Sequence, residues 1–142
     1  MDFPTPKIMD KTTKLRVIVV DDESLARLNL RALIEKDEEL NLVKECENGY
    51  EAVESIKTLS PDLVFLDIKM PEMNGYEATA AIRALPKGKQ ISIVALTAGN
   101  VKGEREKCMA VGMDDFITKP FLPADIKQVF NQYPDFTVSV LA

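Results

Sequence analysis

The chain contains no histidine, so carboxylates, hydroxyls and ammonium groups must carry whatever chemistry it performs. Asp21, Asp22 and Glu23 stand in a row directly behind the apolar run Val17 to Val20. A further carboxylate, Asp67, closes LVFLD; a hydroxyl, Thr97, closes ISIVALT; and Lys119 follows DFIT. Each alone has an ordinary role: an Asp at a strand end turns or caps the chain, a Thr is at home in a strand, and a lysine before proline is a solvated loop charge. As a set they call for more, because every one ends or follows an apolar segment that has no packing use for it.

Clustered carboxylates repel by ~4 kcal/mol per pair at about 4 Å and an effective dielectric near 20, so a fold that gathers them needs a cation. Magnesium suits this donor set: it takes oxygen ligands, keeps several waters and binds through one or two carboxylates plus phosphate oxygens, whereas softer metals favour imidazole or thiolate. A phosphoryl group is the natural companion of such an ion, since its transfer needs positioning and charge neutralisation more than elaborate proton chemistry. Asp67 then serves as nucleophile forming an acyl phosphate. The metal bridges it to the incoming oxygens, Lys119 neutralises the other side, and Thr97 donates its hydroxyl to a phosphoryl oxygen.

What must position these groups is legible as a repeating unit from Arg16 on: a short apolar run, a polar turn, then an amphipathic stretch of about ten to twelve residues, the pattern of βαβ units and a parallel sheet. RVIVV (16–20), LVFLD (63–67) and ISIVALT (91–97) are apolar on both faces, as interior strands are. LVKECE (42–47) is mixed and reads as an edge strand, and DFIT (115–118) is a short fifth. Ser24 is expected to cap a first helix with Leu25, Leu28 and Ala32 along its core face, widened by Leu30, Leu33 and Ile34. Gly49 precedes a second helix with Val53, Ile56 and Leu59, and Gly75 opens a third with Ala78, Ala81, Ile82 and Leu85. The stretch 100–110, with an internal Gly103 and few apolar anchors, reads as the loosest helix. Pro123 starts the last one, over 124–130. In a doubly wound α/β sheet all strands end on one edge, where ligands bind, so Asp21, Asp22, Asp67, Thr97 and Lys119 converge.

The strings VVDDES, FLDIKMPEMNGYEA, ALTAG and GMDDFITKPF resemble the receiver domain of two-component response regulators from about Lys14 to Phe130. The resemblance implies a flavodoxin-like three-layer sandwich with a five-stranded parallel sheet in the order 2-1-3-4-5. It implies that Asp67 is phosphorylated by a histidine kinase or a histidine phosphotransfer protein. It further implies that Asp22, Asp67 and the backbone carbonyl of Lys69 hold Mg2+, with Asp21 assisting partly through water. Thr97 and Phe116 match the family's switch pair, and the Lys119–Pro120 bond is expected to be cis. Two departures are Asn74, where an Asp often precedes the glycine, and Phe116, where tyrosine is more frequent. Lys69 and Gly99 occupy positions that tune phosphoryl lifetime in the family. The first half resembles receivers of transcription-type regulators and the second, from Ile91, those of hybrid histidine kinases; one uneven lineage explains this, and the alternative, a recombined or engineered chain, is expected to show a poorly packed junction near residues 80 to 90.

Composition bounds the reading. A chain of 142 residues with 46% hydrophobic content suits one domain, divided here into a flexible leader (1–14), the receiver domain (15–131) and a tail or linker start (132–142). A net charge of −5 gives no basic surplus for direct nucleic-acid binding. No apolar run approaches the ~20 residues of a membrane span, and no signal peptide opens the chain, so a cytoplasmic protein is expected. Cys46 and Cys108 read as small core residues. The function expected is a phosphorylation-dependent signalling switch, not a dedicated enzyme, that catalyses its own Mg2+-dependent phosphorylation and dephosphorylation. Self-association through the last two helices and strand five is one route to output. The alternative is an interaction module that keeps the fold without phosphorylation. A dinucleotide enzyme is disfavoured, because the first turn carries DDES where a glycine-rich loop is needed, and an aspartyl phosphatase because position 23 is Glu where a second Asp belongs.

Overall fold

The computed structural model describes residues 14–98 and 103–132. Strands and helices alternate as β1 Leu15–Val20, α1 Ser24–Glu35, β2 Leu40–Cys46, α2 Gly49–Leu59, β3 Leu63–Asp67, α3 Gly75–Arg83, β4 Ser92–Thr97, α4 Glu104–Val111, β5 Asp115–Thr118 and α5 Pro123–Gln132, with one 3-10 turn at Gly88–Gln90. The five strands are all parallel, in the order β2-β1-β3-β4-β5. This is the doubly wound, flavodoxin-like sandwich expected from the sequence.

Strand alternation explains the three layers. Successive side chains of a strand point to opposite faces. Ile18 and Val20 of β1 therefore join Val64, Leu66, Ile93 and Ala95 on the face covered by Ala52 and Ile56 of α2, Ala78 and Ile82 of α3, and Cys108 of α4. Val17 and Val19 join Phe65, Val94 and Leu96 on the other face, under Leu30 and Ile34 of α1 and Ile126 and Val129 of α5. Covering both faces is what makes the interior strands apolar throughout. The edge strand β2 is only partly buried and starts at Leu40, two residues before the expected boundary. Both cysteines are free and buried, as small core residues.

The structure corrects three local expectations. Leu25 and Leu28 are 66% and 49% exposed, and Ala32 is exposed too; the core line of α1 is Leu30 and Ile34. The helix has leucines on opposite sides, and on its flank Arg27 and Arg31 reach Glu45 of β2 at 3.7 and 3.0 Å. Ser24 begins α1 and does not cap it: Glu23 is the N-cap residue and makes no side-chain cap bond. Gly103 lies outside α4, in the left-handed region at φ 83°, and the helix starts at Glu104. By contrast Asn74 caps α3 fully, accepting from Glu77 N while Glu77 returns a bond to Asn74 N.

Residues 80–90 hold no loose junction. Arg83 donates to the carbonyl oxygens of Gly88, Ile91 and Gly112 and to Asp114, at 2.6 to 2.9 Å. A methyl group at Gly88 would lie 1.7 Å from the Ile82 carbonyl oxygen, so only glycine permits this approach. Beside this turn lies a surface groove of about 590 Å3, walled by Ile56, Leu85 and Ile91 among others. The expected leader and tail lie almost wholly outside the described residues, as do Gly99 and the start of the stretch 100–110.

Candidate functional site

Backbone bonds lash the strand ends into a common rim. Asp21 N donates to Cys46 O (3.1 Å), Ile68 N to Leu96 O (3.3 Å) and Lys119 N to Thr97 O (2.8 Å). They tie the end of β1 to β2, β3 to β4, and the residue after β5 back to β4. The loop after Asp67 returns at once, with Gly75 N donating to Ile68 O at 2.8 Å. A side chain at Gly75 would meet the Asp67 carbonyl oxygen at 2.6 Å and Ile68 Cα at 2.8 Å, so this glycine lets α3 begin directly against the strand that carries Asp67. Within the loop, Glu72 adopts φ 66°, and the Lys119–Pro120 peptide bond is cis.

On this rim the side chains meet. One carboxylate oxygen from each of Asp21, Asp22 and Asp67 lies within 4.8 Å of the others. Asp21 and Asp67 are buried while Asp22 is exposed. Lys119 Nζ stands among them, 2.8 Å from Asp21 Oδ2, 3.4 Å from Glu23 Oε1 and 3.5 Å from Asp67 Oδ1. Asp21 is further fixed by Glu23 N, which donates to its Oδ1 at 3.0 Å. A cavity of about 340 Å3 opens beside them, lined by Asp22, Glu23, Asp67, Lys69, Thr97, Glu104 and Lys119 together with Ile68, Leu96 and Ala98. Thr97 is buried at its wall.

The electrostatics follow from this crowding. Burial pushes the Asp67 carboxyl from 3.8 up to about 7; the negative charge of Asp21 adds to the rise, Lys119 pulls it back, and Asp22 adds again. Burial alone would lower the Lys119 ammonium, but hydrogen bonding to Asp21 and the charges of Asp67 and Asp21 outweigh it, so its pKa is raised. Lys119 therefore stays charged while Asp67 is reluctant to ionise alone. Asp21, Asp67 and Glu23 share one ammonium, and Asp22 adds a further carboxylate to the cluster. That oxygen-only donor set with an unbalanced negative charge fits a hard divalent cation.

Of the residues singled out in the sequence, Asp21, Asp22, Asp67, Thr97 and Lys119 come together, and Lys69 lies on the cavity wall. Phe116 does not line this cavity. It is half-buried on β5, with the Arg105 guanidinium 5.6 Å from its ring centroid, beside a second cavity shared with Asp115, Thr118 and Asp125. Sequence reasoning overlooked Glu104, which lines the pocket from the first turn of α4, and Tyr76, which donates its hydroxyl to Glu104 Oε2. The signal was available: in this fold the helices that follow strands begin on the same edge where the strands end.

Known proteins agree with this architecture. The model of the response regulator receiver domain matches residues 17–131, and the chain belongs to that family. It is 36% identical over 126 residues to the signal transduction histidine-protein kinase BarA of Escherichia coli, covering 89% of this chain and 14% of that protein. It is 41% identical over 106 residues to the chemotaxis protein CheY of Halobacterium salinarum, covering 75% of this chain and 85% of that one. Among solved structures, the receiver domain of the sensor histidine kinase PA1611 from Pseudomonas aeruginosa, with a magnesium ion coordinated in its active-site cleft, superposes with a TM-score of 0.76 at 28% identity, covering 84% of this chain and 97% of that one. The chain spans from 4% to 94% of the length of its curated relatives, a small part of the hybrid kinases and most of the short proteins. It is thus a receiver domain of two-component signalling, a class that is not a dedicated enzyme. Among the described residues no helix is long and apolar enough to cross a membrane.

Proposed function

We propose that this receiver domain accepts a phosphoryl group on Asp67 from the phosphohistidine of a histidine kinase or phosphotransfer protein, and that the added charge switches its conformation. The observation that carries the reading is the placement of Asp67: a buried carboxylate at a strand end, 3.5 Å from the Lys119 ammonium, beside Asp21 and Asp22 and open to a cavity with room for a phosphoryl group. An Asp67 carboxylate oxygen attacks the phosphorus; the phosphorus–nitrogen bond of the donor breaks, its electron pair stays on the imidazole nitrogen, and the imidazole takes up a proton from solvent. Lys119 neutralises charge on the transferring group, and the Thr97 hydroxyl donates to one of its oxygens. Asp22, Asp67 and the Lys69 carbonyl would hold Mg2+, with Asp21 assisting through water. When bound, that ion supplies charge neutralisation across the carboxylates and the phosphoryl oxygens.

The charge change reaches the rest of the molecule through Thr97 and Phe116. Thr97 moves toward the phosphoryl group, and the ring of Phe116, now beneath Arg105, follows inward. Phosphohistidine is made from ATP, so the exchange belongs in the cytoplasm. Intact mass after incubation with acetyl phosphate and magnesium tests the assignment. Wild type is expected to gain one phosphoryl group and Asp67→Asn none; a phosphorylated Asp67→Asn protein would disprove it.

A further inference from the structure

Glu104 plays no part in the chemistry just described, yet it lines the same cavity as Asp67, Thr97 and Lys119. Its carboxylate is held in place by Tyr76 of α3, whose hydroxyl donates to Glu104 Oε2. Burial and that carboxylate together raise the Tyr76 pKa, so the hydroxyl keeps its proton and the contact persists. The next residue, Arg105, sits 5.6 Å from the Phe116 ring centroid, so the first turn of α4 is held at a second point. A negative charge is thereby fixed at the wall of a pocket that must admit an anion.

Resting on the assignment of Asp67 as phosphoacceptor, we propose that Glu104 is an electrostatic gate, a specificity-determining carboxylate that opposes doubly charged phosphoryl donors and slows the phosphorylation of Asp67, with Tyr76 as its positioning residue. Glu104 and Asp67 wall the same cavity, and with a Debye length of about 8 Å at physiological salt, solvent ions screen charges within one cavity only in part. Glu104 supplies no proton and no ligand atom to the three-carboxylate cluster. Its effect is on approach, and it grows with the charge of what approaches. A donor presented on a protein surface that pairs with Glu104 or covers it escapes this barrier, so the gate favours a cognate partner over free small phosphodonors.

The test measures the rate of Asp67 phosphorylation by intact mass at saturating magnesium, with doubly charged acetyl phosphate and with singly charged phosphoramidate. Glu104→Gln keeps the size of the side chain and an acceptor for Tyr76 while removing the charge. It is expected to react about fivefold faster than wild type with acetyl phosphate, and at most about twofold faster with phosphoramidate. Added salt should speed wild type more than the variant. Glu104→Asp should restore most of the slow rate. Tyr76→Phe should accelerate the reaction in the same direction, and Tyr76→Phe combined with Glu104→Gln should be no faster than Glu104→Gln alone. Magnesium affinity, read by calorimetry, should stay within about twofold of wild type, because Glu104 lies outside the carboxylate cluster. An unchanged or slower Glu104→Gln protein, an equal acceleration with both donors, or a large loss of magnesium affinity overturns the gate while wild type still gains its phosphoryl group. A wild type that gains none overturns the underlying assignment and the gate with it.

Discussion

Neutralising the buried nucleophile should make the metal-free protein more stable, although it abolishes the proposed chemistry. Moving the Asp67 carboxyl from 3.8 up to about 7 means that its ionised form is less at home in the folded chain than in the unfolded one by about 4 kcal/mol. Between these values the folded state holds a proton that the unfolded state has released, so stability falls as pH rises. The contribution of the protonated carboxyl is complete below about pH 4 and is lost as pH rises through 7. Asp67→Asn carries no such charge, and the value of about 7 already includes the attraction of Lys119, 3.5 Å away. The variant is therefore expected to exceed wild type by about 4 kcal/mol at pH 8, and by only about 2 kcal/mol at pH 5. Urea unfolding of both proteins from pH 5 to 8 in a chelator measures it. Adding magnesium at pH 8 should restore wild type and leave the variant unmoved. A variant no more stable than wild type at pH 8, or a difference that does not vary with pH, would refute the argument.

Two further substitutions address the frame that holds the site. Gly75→Ala places a methyl group 2.6 Å from the Asp67 carbonyl oxygen, and should cost about 1 to 3 kcal/mol in urea unfolding; a neutral result would show that α3 does not need this approach. Arg83→Met removes the guanidinium that donates to the carbonyl oxygens of Gly88, Ile91 and Gly112, and should destabilise by about 2 to 4 kcal/mol in the same assay. An Arg83→Met protein with wild-type stability would show that water replaces the guanidinium at no loss.

How much of this was legible in the sequence differs element by element. The convergence of Asp21, Asp22, Asp67, Thr97 and Lys119 could be read because parallel strands must all end on one edge, and each of these residues closes or follows an unmistakable apolar run. The core face of α1 could not: Leu25 and Leu28, three apart, and Leu30 and Ile34, four apart, both fit a helical stripe, and periodicity alone does not say which pair meets the sheet. The work of Arg83 was equally hidden, because its partners are backbone carbonyls whose positions no side-chain pattern records. Glu104 escaped notice because apolar periodicity in α4 is weak, and a polar residue in a helix's first turn looks like a response to the helix dipole. Its contact with Tyr76 joins two helices 28 positions apart in the chain.

Every residue of β3, from Leu63 to Asp67, is buried, and the strand has a neighbour on each side. The carboxylate at its tip is therefore mounted on a strand held on both edges and both faces. Motion has to come from the rim: the reagent arrives, loops and helix ends rearrange, and the anvil stays still. A phosphoryl group placed there, as proposed, would act on what surrounds the strand more than on the strand that bears it.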